Sequence, residues 1–309
     1  MRNVDGMVSS IRDAAVAASC VILTFAFATG CSVLAVATGD QCKVDDDCAA
    51  RGGDFAGLIC VDRVCVPPAD AGTTPMLPPG WECVGTLKPE TPRKPQVTVY
   101  VTLTDLIRPE NSVSDAVLVR ACRKLDVGCT MPYGAPIHPE ANGMAKFVVD
   151  GGFDGYVEVI PAVQPPVYVP SLVFFGRPVV DDLVYMSTPL VSIRDLPLLV
   201  QTTGGGMIDP TLGGAFFRAT DCAPSPASGV TAMLDEVGLD TRRFYFVNGL
   251  PSVTSSATDV TGAGGFINVP TGVRSLRGTR AAEDLYFGTV SILVRPGVFS
   301  YIRLAPQPL

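Results

Sequence analysis

The chain has 309 residues, a formal net charge of −7 and only 17% charged residues. An acidic chain has no electrostatic means of holding polyphosphate, so nucleic-acid binding is excluded as a leading function. A single histidine, His138, excludes any metal centre that needs two imidazoles.

Chain order starts with Met1 to Asp13, where Arg2 and Arg12 are offset by Asp5 and Asp13. The run from Ala14 to Ala37 is uncharged and rich in Ala, Val, Leu, Ile and Phe. It admits three readings. "ATGC", Ala28 to Cys31, reads as a lipobox: residues 1–30 are then a signal peptide, and the Cys31 thiol takes a diacylglycerol. "AVA", Ala35 to Ala37, reads as an A-x-A cleavage site that frees a soluble protein. Left uncut, the run is long enough to cross a bilayer, which needs about 20 residues. The lipobox is preferred, with Cys31 as the lipidation site, and all three readings export the rest of the chain.

Ten cysteines stand in the chain, an unusual number for a reduced cytosolic protein. Removing Cys20 with the signal and Cys31 with the lipid leaves eight candidates for pairing: Cys42, Cys48, Cys60, Cys65, Cys83, Cys122, Cys129 and Cys222. Residues 31–66 read as the anchor and a small cysteine-rich module with C-x5-C-x11-C-x4-C spacing. It holds too few large apolar side chains for a core, so two disulfides replace one, in any of three pairings. Zinc is the rival reading, but only the C-x4-C pair has ligand spacing. Asp45, Asp46 and Asp47 read as a solvated acidic turn, because Cys48 follows where a calcium loop needs alternating ligands. With its "VDDDC" and "VCV", the module resembles cysteine-rich segments that follow the lipid anchor of bacterial surface lipoproteins.

Residues 67–80, "PPADAGTTPMLPPG", read as a proline-rich spacer. Beyond them the texture is all-β, in two sets of short apolar runs. Residues 81–190 are predicted as the first sandwich, with strands over Val97–Leu103, Ala116–Cys122, Lys146–Asp150 and Gly155–Ile160. Residues 191–212 read as a connector in which Ser192–Gly206 holds one short helix ended by glycines. Residues 213–309 are predicted as the second sandwich, with strands over Gly229–Leu234, Arg243–Val247, Gly265–Val269, Thr289–Val294 and Phe299–Leu304.

The sets read as an internal repeat. "EANGMAKFVVDGG" parallels "DVTGAGGFINVPTG": an acidic residue (Glu140, Asp259), a glycine three on (Gly143, Gly262) and a phenylalanine four later (Phe147, Phe266). This is hairpin chemistry, with glycine relieving the Cβ clash at positive φ. Cys122 and Cys129 flank a short connection and are expected to pair. That leaves Cys83 and Cys222, by elimination, to staple the two sandwiches.

"ATDVTGAGGFINVPTG", Ala257 to Gly272, resembles the T-D-x-x-G-x-F signature of carboxypeptidase regulatory-like domains, with three residues here between glycine and phenylalanine. The resemblance implies transthyretin-like Greek-key β-sandwiches, better matched in the second half, and no catalytic group. The fold class expected is therefore all-β: two tandem transthyretin-like Greek-key sandwiches behind a signal segment and a disulfide-rich module.

Catalytic constellations are missing. His138 and Glu140 have no second imidazole for zinc, and no G-x-S-x-G elbow accompanies the lone histidine. Oxidised cysteines are not nucleophiles. Gly204–Gly206 and Gly262–Gly265 read as turns, with no Lys-Ser/Thr to make a phosphate loop. "RSLRGTR", Arg274 to Arg280, reads as a charge-protected strand edge. No cofactor, metal or catalytic residue is expected. The function expected is a non-catalytic structural or binding module, lipid-anchored in the cell envelope at the outer membrane. Its partners are the membrane, through Cys31, and an unidentified surface protein or polysaccharide. A carbohydrate-binding protein is the alternative, and a carboxylate-dependent hydrolase a distant third.

Overall fold

The computed structural model describes residues 42–51, 58–61, 64–66, 77–185, 187–204 and 207–308. The proposed signal segment, with Cys31, and residues 67–76 of the spacer lie outside these. Among the described residues, no helix is long and apolar enough to cross a membrane. Contacts divide the chain into Met1–Pro75 and Met76–Leu309.

In the first unit a one-turn helix, α1 (Asp45–Ala50), precedes a hairpin of β1 (Ile59–Val61) and β2 (Val64–Val66). Cys42 bonds to Cys60 and Cys48 to Cys65, and Cys60 faces Cys65 across the hairpin. The helix and the segment before it are thus pinned one to each strand, and buried sulfur stands in for a hydrophobic core. Asp45 to Asp47, read from sequence as a turn, instead open α1. The Asp47 carboxylate accepts the Lys43 and Val44 N–H groups, at 2.6 and 3.1 Å, closing the helix start. Those two bonds hold its pKa below the usual carboxylate range.

Among the described residues the second unit is all-β but for a 3-10 turn, Ile193–Asp195, that runs into one short α-helix. In chain order it runs β3 (Gln96–Asp105), β4 (Val117–Arg123), β5 (Met144–Asp150), β6 (Gly155–Pro161), β7 (Ser171–Phe174), β8 (Leu183–Val184) and β9 (Thr188–Leu190). Then come α2 (Leu196–Thr202), β10 (Gly213–Ala219), β11 (Val230–Leu234), β12 (Arg242–Val247), β13 (Leu250–Ser252), β14 (Ala263–Val269), β15 (Gly272–Arg280), β16 (Leu285–Val294) and β17 (Phe299–Leu304).

One pairing scheme is used twice. β3 pairs antiparallel with β5, β4 with β6, and β6 with β7, while β3 also pairs parallel with β8 and β9. In the second half β10 pairs antiparallel with β14, β11 with β15, and β15 with β16, while β10 pairs parallel with β17. The β12–β13 hairpin is extra to the second half.

The repeat extends to single atoms. The Gly143 and Gly262 N–H groups donate to the carbonyls of Glu140 and Asp259, at 2.7 and 3.0 Å. Their own carbonyls accept the N–H of Leu103 and Ala219, at 2.9 and 2.7 Å. Both have positive φ, +78° and +67°. A Cβ there would stand 2.3 Å from the Leu103 oxygen or 2.4 Å from the Ala219 oxygen, far inside contact distance. Gly143→Ala and Gly262→Ala are each expected to cost about 2–4 kcal/mol, combining αL strain with displacement of a strand carbonyl. Urea melts of the two variants check this, and a loss under 1 kcal/mol at either site would show that the turn relaxes freely. The acidic residues differ. Burial raises the Asp259 pKa, but bonds from the Thr261 hydroxyl and N–H and the Asn248 N–H hold it below the ordinary range. In the first half Asn142, not Glu140, accepts the following turn N–H, from Met144.

The halves are not separate sandwiches on a string. β17 pairs parallel with β10 on one side and with β7 on the other, giving one eight-stranded sheet in the order β13-β12-β14-β10-β17-β7-β6-β4. One face of this sheet packs on β3, β5, β8 and β9; the other packs on the three-stranded sheet β11-β15-β16. Each core therefore recruits residues from both halves. Phe216, Phe244, Phe299 and Tyr301 join the first, and Tyr156, Leu172 and Phe174 join the second.

Two further sequence readings are corrected. "RSLRGTR" lies in β15, which is bonded to β11 and β16 and is the centre of its sheet, not an edge. Arg277 is on the outward face, over the Tyr286 ring, while Arg274 and Arg280 share the inward face with buried Leu276, at its two ends, and pair with Glu236 and Glu283. Of Gly262–Gly265, only Gly262 is in a turn; Ala263 to Gly265 open β14. Small residues there let the rings of Phe217, Tyr245 and Phe244 lie against the strand.

Cys122 bonds to Cys129, and Cys83 to Cys222. The second bond has an unexpected geometry. Cys83 precedes the first half in the chain, yet its segment packs with the second: Trp81 lies 4.8 Å from Phe287, ring to ring, and is 4% exposed. The bond straps the entry of the unit onto the second half and encloses the whole first half in its loop.

Candidate functional site: an apolar cleft at the seam

The polar groups flagged in the sequence do not converge. His138 is exposed, with Nδ1 3.0 Å from the Val117 carbonyl, and Glu140 is exposed beside it. All eight cysteines from Cys42 on are oxidised, so the grouping of Cys42, Cys48 and Cys65, and that of Cys122, Cys129 and Glu158, offer no thiolate to a metal.

Two carboxylates do meet on one cation. Asp105 and Asp195 both bind Arg108, at 3.3 and 2.7 Å. Asp105 also accepts the Ile107 and Arg108 N–H groups, each at 2.9 Å. Asp221, its counterpart in the second half, accepts the Ala223 and Ser225 N–H groups in the same way. Equivalent residues capping equivalent turns mark this as turn architecture. Both carboxylates are committed to a guanidinium, so neither is free to move a proton on a substrate.

The concave site with unmet chemistry lies elsewhere, where the halves join. A half-open cleft of about 310 Å³ is walled on one side by Thr104 at the end of β3 and by Tyr185 and Ser187 before β9. Its other wall is the face of the shared sheet, with Phe216 and Arg218 from β10, Tyr301 and Arg303 from β17, and Phe246 from β12. Alternation explains the content of that wall. Phe216 and Arg218 are two apart on β10, and Tyr301 and Arg303 two apart on β17, so all four project on one face. The parallel register sets Phe216 beside Tyr301 and Arg218 beside Arg303. The Phe216 and Tyr301 rings stack at 5.2 Å.

Electrostatics make the cleft unusual. Like charges side by side on adjacent strands are destabilising, and among the described residues neither Arg218 nor Arg303 has a carboxylate partner. Arg303 lies over the Tyr185 ring, 5.0 Å from its centroid, and its Nε is buried without a hydrogen bond. Burial draws the Arg218 pKa down, and neighbouring Arg303 adds repulsion. Burial pushes the Tyr185 phenol up to about 12, its hydroxyl donating to the Phe174 carbonyl at 2.9 Å. Burial also raises the Tyr301 phenol, against a lowering contribution from the Val191 backbone. The described lining holds no Asp, Glu, His or Cys. Its charge is carried by arginine alone, and in the described lining no carboxylate or imidazole stands beside the Ser187 and threonine hydroxyls.

No protein-family model matches the chain, and no curated protein does. Among solved structures it is similar to the Bacillus anthracis TIE protein at 12% identity and TM-score 0.22, over 69% of this chain and 34% of that one. It is also similar to GBS52, the minor pilin of Streptococcus agalactiae, at 11% identity and TM-score 0.23, over 69% and 96% of the two chains. A third is CBMbc, of family CBM26, from Eubacterium rectale Amy13K, solved with maltoheptaose: 6% identity, TM-score 0.24, over 67% and 91%. The chain thus spans about a third of the TIE protein, and 64% of a streptococcal ancillary pilin that it also resembles.

Proposed function

We propose that this is an exported, non-catalytic protein of the cell envelope, tethered to the outer membrane by a lipid on Cys31, whose β-sandwich unit is a structural and binding module. The observation that supports it best is the pairing of every cysteine from Cys42 to Cys222. Four disulfides persist only where the surroundings are oxidising. The membrane-proximal part is then the cysteine-rich module, and residues 67–80 are the spacer. The second half is a carboxypeptidase regulatory-like domain on this reading, since the Asp259–Gly262 turn leads to a buried Phe266 as that resemblance implies.

The carbohydrate-binding alternative ranks below it. Sugar platforms expose aromatic rings, but the chain's one tryptophan is buried, and the exposed large apolar side chains among the described residues are all aliphatic. Intact mass of the protein extracted from the envelope tests the main reading. The expected species begins at Cys31, carries a diacylglycerol and has no thiol to alkylate, and Cys31→Ser moves the protein to the soluble fraction. A species beginning at Met1 with free thiols would overturn export.

A further inference from the structure

We propose that the seam cleft binds a small single-chain amphiphile, one anionic headgroup on an apolar body, with Arg218 and Arg303 holding the headgroup. The inference deepens the binding reading above. It does not depend on the lipid anchor, which intact mass tests separately.

Three observations converge. The cleft wall is apolar and aromatic, through Phe216, Phe246 and Tyr301, and its volume of about 310 Å³ is at the lower end of the range for ligand sites. Two adjacent guanidiniums meet it with no carboxylate nearby, in a chain whose acidic residues outnumber its basic ones by 30 to 23. An anion between them would offset their mutual repulsion and supply acceptors to donors now without partners. Lastly, Arg303 lines the cleft with its Nε lacking a hydrogen-bond partner, which leaves its guanidinium short of an acceptor. A neutral ligand leaves the cations unopposed, and a small hydrophilic anion leaves the aromatic wall wet. An amphiphile with one negative end satisfies both.

The test is a titration of the oxidised protein, as isolated from the producing cell, with dodecanoate, dodecan-1-ol and acetate below micelle-forming concentrations. Dodecanoate is expected to bind saturably, at least tenfold more tightly than dodecan-1-ol, with acetate showing no saturation. Amide shifts on binding should centre on Arg218, Ala263 and Arg303; this readout uses the unmodified chain. Arg218→Gln with Arg303→Gln should bring dodecanoate to the affinity of dodecan-1-ol. Equal binding of the acid and the alcohol, no saturable binding, shifts centred away from the cleft, or full dodecanoate affinity in a folded double variant would each overturn the proposal.

Discussion

Replacing Cys222 by serine is expected to lower the thermal midpoint of the oxidised protein by about 10 °C. The Cys83–Cys222 bond joins residues 139 apart in sequence. By the loop-entropy relation, a cross-link closing a loop this long stabilises by roughly 4–5 kcal/mol. About 3–4 kcal/mol of that is expected to appear in practice, and for a unit of this size each kcal/mol is worth about 2–4 °C. The chain reports on its own strap, because Trp81 sits two residues before Cys83 and is its only tryptophan. In Cys222→Ser, Trp81 emission should move to longer wavelength at a lower urea concentration than the loss of β-sheet ellipticity. The short segment it belongs to then detaches before the sheets part. Coincident transitions at the wild-type midpoint would show that packing on Phe287, not the disulfide, holds the strap.

The second large effect is expected at Glu158. This buried carboxylate on β6 lies between Arg120, its cross-strand neighbour on β4, and Arg295, from the connection between β16 and β17. Both contacts are about 2.5 Å. Arg295 also donates to the Tyr156 hydroxyl at 2.6 Å and to the Val127 carbonyl. Through this one carboxylate the second half is clamped to the first. Glu158→Ala leaves two guanidiniums facing each other with little water, and breaking a buried pair in this way costs about 3–5 kcal/mol. Replacing all three, Glu158→Leu with Arg120→Met and Arg295→Met, should recover most of the loss, because an apolar set needs no counter-charge. Urea denaturation of the single and triple variants measures both. A loss below 1 kcal/mol for Glu158→Ala would show the clamp to be solvated.

These sites also show how far the sequence could be read. Strands half-buried in the usual way were legible. Val97 to Leu103 alternates in composition, and β3 alternates in burial over the same residues. The glycine three residues after an acid found both repeat turns. What escaped was short, or buried on both faces. β7, "SLVF", has all four residues buried and so shows no period. β10, "GGAFFRA", hides behind glycines, and β8 and β9 have two and three residues. The shared sheet was out of reach because β17 chooses its partners β10 and β7 through long-range contacts that leave no local mark. The cleft was missed for the same reason: nothing links Arg218 to Arg303 until a parallel register sets them side by side. One signal was present. "FFRA" and "YIRL" each place an aromatic residue two before an arginine, a pairing that on a strand puts ring and cation on one face.

The strap formed by Cys83 and Cys222 also sets how the protein would bear a load. Tension applied between a point before Cys83 and a point after Cys222 runs through one covalent S–S bond. Residues 84–221, which contain every strand from β3 to β10, lie off that path and cannot be drawn out while the bond is intact. In a chain pulled from its two ends, the first half is hidden length that only a reductant releases. The strands left in the line of force are β11 to β17.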